Sequence, residues 1–429
     1  MNIVIANPFY PPYPIEPGGA EHSLEQMCRI FADEGWKLRI VTPSFDGKPG
    51  IECDGNIEID RFASGINKSS FPNGDLQRYF DSTTYVNGTT LAIERALESF
   101  GKSVVIANNA QSIIPVVSAS RKLGVPCLGI VRDAQLLCEM GSCIHSRKPS
   151  TALPCRGVLG AGKCKIKFCR ERGDVSLRSI PGIFVDGMHL GFRRKRLRTA
   201  YLATNSIITI SEALKLMLSK IDGFAVKEMK VIRNFHTGIA PASNEELQRF
   251  LERTKIGNLQ FFLVVGKKSY GKGSDVAVNA ARVLRASRSD VLVVFAGKGD
   301  LINSHNGIVD VGQISQPLLM RLLLKSIGVI VPGRCQEGLH RTMIDAVWSG
   351  KPVICTEAGG VSEGVRHNAN GYIVPCDDVY SLANAMTKVL SWEDKQIDLC
   401  RRASKEIYEA IFSDRVLIQK WFEIFSAIG

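Results

Sequence analysis

The chain has 429 residues, of which 45% are hydrophobic and 22% are charged. This is the composition of a folded globular protein and excludes a disordered or low-complexity chain, and at this length two domains are expected rather than one. The net charge of +12 is concentrated in residues 121–220, which contain 19 basic and 6 acidic side chains. The densest stretch is GFRRKRLR (191–198). Since only Phe192 interleaves with it, nucleic-acid binding is disfavoured. A solvated basic helix and a surface for anionic membranes or lipid-linked substrates both stay open.

The amino terminus predicts a buried strand. MNIVIANPFYPP has no basic segment and breaks at prolines after a short apolar run, which disfavours a signal peptide. The longest uncharged run, residues 103–120, contains two Asn, a Gln and a Pro, so no transmembrane segment is predicted. These features favour a cytoplasmic protein, with peripheral attachment to the inner face of the membrane as the open alternative.

Short apolar runs alternate with amphipathic stretches along the chain. A helix is predicted over residues 20–35, and residues 236–248 have the composition of a polar linker. Alternation of this kind predicts an α/β protein with parallel sheets covered by helices. The predicted strands are NIVIA, KLRIVTP, SVVIA, PCLGIVRD and SIITIS, and then FFLVVG, DVLVVFAG, GIVDVG, GVIVP and PVICT.

The two strand series predict two doubly wound, Rossmann-like domains. Residues 1–235 form the first, with a basic, cysteine-rich insert at about 138–200. Residues 236–412 form the second, and residues 413–429 form a final amphipathic helix. In such sheets, ligands bind beyond the carboxyl ends of the strands.

The insert contains five cysteines whose spacing differs from that of common zinc sites. They are separated by four, eleven, eight and four residues, without tight C-x2-C pairs. Ordinary free cysteines are therefore favoured, and a structural metal is the alternative. The histidines at 145, 189 and 236 also lack ligand spacing and are predicted to lie at the surface or in turns. The five cysteines are Cys138, Cys143, Cys155, Cys164 and Cys169.

Four glycine-rich or basic turns follow predicted strands. They are EPGGAEH (16–22), GKKSYGKGSD (266–275), AGKGD (296–300) and EAGGVSEGV (357–365). Glycines at strand ends let backbone amides approach an anion closely, and Lys267 and Lys272 are suited to a diphosphate. A fifth stretch, CQEGLHRTMIDAVWSG (335–350), places Glu337 in a loop and Asp345 within the next helix. Helix capping alone explains Asp345 poorly, because it lies beyond the first turn.

This set of motifs resembles the family 4, GT-B-fold, retaining glycosyltransferases that use nucleotide-diphosphate sugars. The family's second domain carries a G-R-x5-K-G turn, a G-x-G turn, an E-x7-E segment, a G-G-x-x-E turn and an N-G pair. Order and spacing agree over about 170 residues, whereas residues 1–235 agree more loosely. The matching positions are Gly266, Lys267, Lys272, Gly273, Gly297, Gly299, Glu337, Asp345, Gly359, Gly360, Glu363, Asn370 and Gly371.

The resemblance implies that residues 1–235 bind the acceptor, that residues 236–412 bind the nucleotide-sugar donor, and that the helix 413–429 packs back on the first domain. It also implies a role for each motif. Glu337 would hold the donor sugar and Asp345 the ribose, while Lys267 and Lys272 would neutralise the leaving diphosphate. The turn after the third strand of the second domain would recognise the base. Donor-binding positions implied in this way are Gly18, Gly19, Gly266, Gly297, Gln313, Ile314, Gly338, Leu339, His340 and Asp345.

Four positions depart from the family pattern. Lys267 stands where Arg is usual, and Asp345 is one methylene shorter than the usual Glu. His340 replaces a Gly or Pro. Arg132 precedes Asp133 where many members have a His-Asp pair at the reaction centre. We expect Arg132 to bind an anionic donor, acceptor or leaving phosphate, or else to pair with Asp133 structurally.

The resemblance therefore implies two domains facing across a cleft in a retaining enzyme. It would move a sugar from a nucleotide-diphosphate donor to a glycan, polysaccharide or lipid-linked acceptor, with no metal and no cofactor. Predicted catalytic residues are Glu337, Lys272, Lys267, Arg132 and Asp133. A non-catalytic binding or regulatory protein of the same fold and a sugar-nucleotide epimerase are the alternatives. A glycoside hydrolase would have no use for the lysines and glycine turns.

Overall fold

The computed structural model describes residues 1–13, 18–45, 48–65, 79–101, 103–138, 157–171, 176, 179–299, 307–336 and 338–428. They form an α/β protein with two sheets and two compact units. One unit contains the described residues among 1–235 together with residues 418–428, and the other contains those among 236–417. The assignment of acceptor binding to the first and donor binding to the second stays a prediction.

The strands lie close to the apolar runs of the sequence. Four strands were not predicted from the sequence: β3, β4, β8 and β14. The strands of the described residues are β1 Asn2–Ala6, β2 Lys37–Ser44, β3 Gly50–Asp54, β4 Ile57–Ala63, β5 Ser103–Ala107, β6 Cys127–Val131, β7 Ser206–Thr209, β8 Met229–Val231, β9 Gln260–Val265, β10 Val291–Ala296, β11 Ile308–Gly312, β12 Gly328–Val331, β13 Val353–Thr356 and β14 Gly371–Val374.

The helices are α1 Gly19–Asp33, α2 Thr83–Phe100, α3 Ile113–Leu123, α4 Gly157–Glu171, α5 Ile180–Leu202, α6 Glu212–Leu218, α7 Asn244–Arg253, α8 Ser274–Arg285, α9 Gln316–Lys325, α10 Arg341–Trp348, α11 Val379–Leu390, α12 Asp394–Ile411 and α13 Asp414–Ile428. The predicted linker 236–248 is wrong in its last residues, because α7 begins at Asn244 with the Ser243 hydroxyl accepting from the Glu246 amide at 3.1 Å.

Both sheets are parallel over nearly all of their width. The first has the order β3-β4-β2-β1-β5-β6-β7-β8, and its only antiparallel pair among the described residues is β3 with β4. The second has the order β11-β10-β9-β12-β13-β14. The prediction of parallel sheets from β/α alternation is confirmed. Consequently the carboxyl ends of the strands in each sheet lie at one edge, where the predicted ligand-binding turns follow them.

The final helix α13 contributes its aromatic face to the first unit. The ring centroid of Phe31 lies 5.3 Å from that of Trp421 and 6.2 Å from that of Phe425. Trp36 also packs on Phe425 at 5.2 Å. Trp421 and Phe425 are buried, so this helix belongs to the hydrophobic core of the first unit. Across the residues that the structure describes, no helix combines the length and the apolar character that crossing a membrane requires.

Candidate functional site

Three turns of the second unit interlock at the carboxyl edge of its sheet. The Gly266 amide, after β9, donates to the Ala296 carbonyl at 2.9 Å, and the Lys268 amide donates to the Lys298 carbonyl at 2.7 Å. The Gly297 amide, after β10, donates to the Gly312 carbonyl at 2.7 Å. The turns after β9, β10 and β11 are therefore a single hydrogen-bonded layer.

Two glycines of this layer are required by close backbone packing. A Cβ on Gly297, whose φ is +144°, would lie 2.1 Å from the Gly266 carbonyl oxygen. A Cβ on Gly273, whose φ is +69°, would lie 1.8 Å from the Pro332 carbonyl oxygen. Neither position tolerates a side chain without backbone movement. These glycines hold the predicted donor turns against one another, whether or not they also approach a ligand.

The predicted diphosphate residues of the second unit line one small cavity. Lys267 is exposed at its mouth, and Lys272 is partly buried. His340, the residue before α10, lines the same cavity, and its Nε2 lies 4.0 Å from where a Cβ on Gly266 would stand. Two lysines and the amino-terminal end of an eight-residue helix thus converge on one volume, an arrangement that attracts anions.

Arg334 fixes the turn that carries Lys272. Its guanidinium donates to both carboxylate oxygens of Asp275 at 2.6 Å, to the Tyr270 carbonyl at 2.6 Å, and also to Asp377. It lies 4.0 Å above the Tyr270 ring centroid. The Arg334 amide donates to the Gly271 carbonyl at 2.9 Å. Arg334 was not predicted from the sequence, where its only signal is a basic residue shortly after the apolar strand β12.

Lys268, and not its neighbour Lys267, forms a buried ion pair. Its ammonium lies 2.5 Å from Oδ1 of Asp310, and its side chain is 4% exposed. The same Oδ1 accepts from the Gly312 amide at 2.9 Å. Asp310 therefore ties the turn after β9 to the segment containing Gln313 and Ile314, which are exposed and partly buried respectively. Sequence spacing carries no signal for this pair, since its members are 42 residues apart.

The segment before α10 is anchored by a buried amide. Gln336, which is 0% exposed, accepts from the Gly359 amide at 2.8 Å. The neighbouring Gly338 and Leu339 are also buried. Glu337, the predicted sugar ligand, lies outside the described residues, so its role stays a prediction.

The other matched motif positions of the second unit have structural contacts. Asn370 is fully buried, donates to the Gly364 carbonyl at 3.0 Å and accepts from the Arg366 amide at 2.7 Å. A Cβ on Gly371 would lie 1.9 Å from the Val353 carbonyl oxygen. Gly359 and Gly360 begin a short 3-10 turn after β13. The N-G pair therefore closes a tight turn onto β13.

Asp345 is buried in α10 rather than presented on its surface. It is 8% exposed, and burial raises its pKa to about 6, although Arg341 and Thr237 oppose the rise. His236 faces it, with Nε2 3.6 Å from Oδ1 of Asp345, and stacks on Trp348 at 4.3 Å. The prediction of a surface position for His236 is wrong, because its side chain is buried in a connecting segment and the residue is 7% exposed.

These two side chains are not an ion pair at neutral pH. Burial lowers the pKa of His236 to about 4, and 3.6 Å exceeds a hydrogen bond. Its Nδ1 accepts from the Gly238 amide at 3.2 Å, so the neutral ring carries its proton on Nε2. Within the part of the chain that the structure describes, Nε2 of His236 and Oδ1 of Asp345 have no hydrogen-bond partner. Two complementary buried atoms are therefore unsatisfied at the predicted ribose position.

In the first unit, the Gly18–Gly19 turn begins α1. The Gly18 amide donates to the Glu21 carboxylate at 2.9 Å. The glutamate of the G-G-A-E motif therefore folds back onto the turn and orders it. Gly18 and Gly19 are both exposed, as an approach by a ligand requires.

Arg132, directly after β6, is held by neutral groups. Its guanidinium donates to the Asn108 carbonyl and side-chain oxygen and, at 2.9 Å, to Oδ1 of Asn234. Asp133 instead accepts from the amide and side chain of Gln135 at 2.9 and 2.8 Å and caps a short 3-10 turn. Among the described residues, the hydrogen-bond acceptors of Arg132 are amide oxygens of Asn108 and Asn234. The structural pairing of Arg132 with Asp133 stays a prediction.

The basic stretch 191–198 is largely structural. Arg193 is buried and donates to Asp81 at 2.7 Å and to Gln135 at 3.1 Å. Arg194 and Arg198 donate to backbone carbonyls of the loop after Asp133. Only part of the stretch, Lys195 and Arg196 among its charged residues, is exposed. The prediction of a fully solvated basic helix is therefore wrong, because these arginines bind the loop that carries Arg132 and Asp133.

Cys143 and Cys155 lie outside the described residues. Cys138 is buried, and Cys164 and Cys169 are partly buried. Within the described ranges, no group of three or more histidine, cysteine or acidic side chains is arranged to hold a metal ion.

Comparison with known proteins finds similarity over most of the second unit. Residues 250–409 match the family model "Glycosyl transferases group 1". The chain is 28% identical over 239 residues to an uncharacterized glycosyltransferase, MJ1607, of Methanocaldococcus jannaschii, covering 50% of this chain and 59% of that protein. It is 27% identical over 197 residues to glycogen synthase of Mycobacterium tuberculosis, covering 44% and 46%. The matched stretch thus spans about half the length of these relatives.

Solved structures are similar over the whole chain. Sucrose-phosphate synthase from Thermosynechococcus elongatus superposes with a TM-score of 0.67 at 16% identity, covering 99% of both chains. Anabaena Alr3699/HepE, in complex with UDP and glucose, superposes with a TM-score of 0.64 at 16% identity, covering 100% of both chains. At this identity the likeness shows the fold. The chain has the GT-B fold of two Rossmann-like domains, and within its second unit residues 250–409 are similar to the group 1 glycosyl transferases.

Proposed function

We propose that this protein transfers a sugar from a nucleotide-diphosphate donor to an acceptor, with retention of configuration at the anomeric carbon and without a metal. The convergence of Lys267, Lys272 and His340 on one cavity at the start of α10 carries the proposal. The cations would stabilise the negative charge that develops on the leaving diphosphate. Arg334 and the glycine turns hold these groups in place before substrate binds.

The donor's ribose would contact the Asp345 region. The unsatisfied Nε2 of His236 and Oδ1 of Asp345 are a donor and an acceptor, 3.6 Å apart. One hydroxyl group can accept from the first and donate to the second. Because both atoms are buried, this requires a small movement of the segment containing His236. Glu337 would bind the hydroxyls of the sugar.

A panel of nucleotide diphosphates and their sugars tests the donor site. We expect one nucleotide to bind selectively in calorimetry, with UDP and UDP-glucose as first probes because the HepE structure contains UDP and glucose. Lys272→Ala should lose this binding, and Glu337→Ala should keep the nucleotide but lose the added affinity of the sugar. Lys405→Ala, which removes an exposed charge from α12, is the matched control.

The same panel separates the alternatives. Binding without release of nucleotide in the presence of acceptors would favour a non-catalytic protein, and conversion of the donor sugar into its epimer would favour an epimerase. Undiminished turnover in excess EDTA is expected for the metal-free mechanism. If no nucleotide diphosphate binds at millimolar concentration, the proposed function is wrong.

For the acceptor, we propose a glycan, polysaccharide or lipid-linked molecule at an anionic membrane surface. A groove between α3 and α5 supports this, because it combines apolar Ile114 and Val117 and the exposed ring of Phe192 with the cationic Arg121 and Lys195. Such a surface suits anionic headgroups above acyl chains. Binding to vesicles with about 30% phosphatidylglycerol should exceed binding to neutral vesicles. Replacing Arg121 and Lys195 together by Gln should abolish the difference, because these cations supply the attraction to anionic headgroups.

A further inference from the structure

The hydrogen bonds that hold Arg132 engage only some of its guanidinium N–H groups. Nε donates to the Asn108 carbonyl at 2.9 Å, Nη2 to Oδ1 of Asn108 at 2.5 Å, and Nη1 to Oδ1 of Asn234 at 2.9 Å. A guanidinium has five N–H groups. One N–H on each of Nη1 and Nη2 therefore has no partner among the described residues.

A chain of amides fixes the direction of these bonds. Nδ2 of Asn108 donates to Oδ1 of Asn7 at 2.9 Å, and Nδ2 of Asn7 donates to the Phe9 carbonyl at 2.6 Å. The side-chain oxygen of Asn108 must therefore face Arg132. The network begins after β1, β5 and β6, so three strand ends orient one guanidinium at the ligand-binding edge of the sheet.

The charge on this guanidinium is incompletely compensated. None of the described carboxylates lies within ion-pair distance of the Arg132 guanidinium. Glu21 and Asp133 attract it electrostatically from a greater distance. Burial lowers the pKa of Arg132 to about 10, so the group stays charged at neutral pH. A desolvated cation held only by neutral amides is stabilised further by any anion that reaches it.

We propose that Arg132 binds an anionic group of the substrate other than the donor diphosphate, namely a carboxylate or a phosphate. The two remaining N–H groups match the two oxygens that either group presents. This inference rests on the proposed transferase function and names its substrate class. The acidic group belongs either to the transferred sugar, as in a uronic acid, or to a phosphorylated acceptor.

Two binding experiments distinguish these sources. The donor experiment compares nucleotide-diphospho-glucuronate with nucleotide-diphospho-glucose, using the base that binds best in the panel above. The acceptor experiment compares glycerol 3-phosphate with glycerol, added to the protein saturated with nucleotide diphosphate. In one of the two experiments, we expect the charged ligand to bind roughly 10- to 100-fold more tightly than its neutral counterpart.

Two variants and a control assign this preference to Arg132. Arg132→Gln removes the cation, whereas Asn234→Asp keeps it and places a carboxylate beside Nη1 without changing the size of the side chain. Both should abolish the preference, and Asn234→Asp should not lower the melting temperature, which separates loss of binding from loss of folding. Arg95→Gln, which removes an exposed charge from α2, should retain the preference.

Three results would overturn the proposal. The first is the absence of a preference in both experiments, and the second is a preference that survives in Asn234→Asp. The third is an equal loss of affinity for the nucleotide diphosphate alone in Arg132→Gln, which would make Arg132 a diphosphate ligand. Failure of every nucleotide to bind is a different outcome: it removes the proposed function, while glycerol 3-phosphate binding still tests Arg132.

Discussion

Asp345 and His236 are neighbouring side chains. Burial shifts their pKa values in opposite directions, and each shift favours the neutral form. The acid has a pKa raised to about 6, so it favours the protonated form in the folded protein. The histidine has a pKa lowered to about 4, so it favours the neutral form. Their effects on stability therefore oppose each other between about pH 4 and pH 6.

We predict that Asp345→Asn becomes progressively more stable than wild type as the pH rises from 4 to 7. In wild type, the unfolded chain ionises Asp345 near pH 4 while the folded protein holds its proton until about pH 6. Stability is thus lost as the pH rises through this window, by on the order of 3 kcal/mol, and Asn removes that loss. Denaturant unfolding of both proteins at several pH values, without nucleotide, measures the difference.

His236→Gln is the matched comparison and should show the opposite trend. In wild type, protonation of His236 in the unfolded chain costs stability as the pH falls below about 6.5. The free energy of unfolding of the variant, relative to that of wild type, should therefore fall as the pH rises from 4 to 7. Parallel, pH-independent differences for both variants would contradict the burial argument.

Gly273→Ala tests the contact between the Lys272 turn and Pro332. We predict a loss of about 2–4 kcal/mol in the free energy of unfolding and weaker nucleotide binding, because a Cβ would collide with the Pro332 carbonyl. Gly257→Ala is the control. That residue has a similar φ of +56° with open space around it, so it should cost only about 1–2 kcal/mol. Equal losses for the two variants would mean that the contact contributes nothing.

At the scale of structural elements, Arg334 joins the loop after β12 to the turn before α8. We predict that Arg334→Lys lowers nucleotide affinity by roughly tenfold while the protein stays folded, because an ammonium cannot bind Asp275 with two parallel bonds or stack on Tyr270. Calorimetry measures the affinity. Arg288→Lys, at an exposed pair with Asp290, should leave it unchanged. An unaltered affinity for Arg334→Lys would exclude the positioning role.

The elements that the sequence predicted share a physical property. Strands such as β1, β5 and β12 are buried on both faces, so they are continuous apolar runs that periodicity detects. β3 lacks this signal because all five of its residues are exposed at the edge of the sheet. β8 has only three residues. Pairing of these strands depends on neighbours distant in sequence, which local patterns do not encode.

The residues of the candidate site also fall into two groups, those that local sequence patterns predict and those that depend on long-range contacts. Glycine turns and lysines are local patterns, so their positions at strand ends could be predicted. Arg334 with Asp377, Lys268 with Asp310, and Arg132 with Asn234 are long-range contacts. Net charge did not predict the solvent exposure of residues 191–198, because composition does not distinguish an exposed arginine from one that binds a loop.

At the scale of the whole molecule, the last helix connects the end of the chain to the core of the first unit. We predict that Trp421→Ala destabilises that unit by about 3–5 kcal/mol, because a 2% exposed indole packed on Phe31 leaves a cavity. Denaturant unfolding followed by circular dichroism reports both units, and the transition that shifts on addition of nucleotide is assigned to the second unit.

Gln419→Ala, at an exposed position of the same helix, should change stability by less than about 0.5 kcal/mol. If Trp421→Ala shifted nucleotide-dependent unfolding of the second unit as strongly as unfolding of the first, the two units would unfold as one cooperative system. A shift confined to the first unit would mean that α13 stabilises only the sheet on which its aromatic face packs. A Trp421→Ala protein as stable as Gln419→Ala would show that this packing contributes no measurable stability.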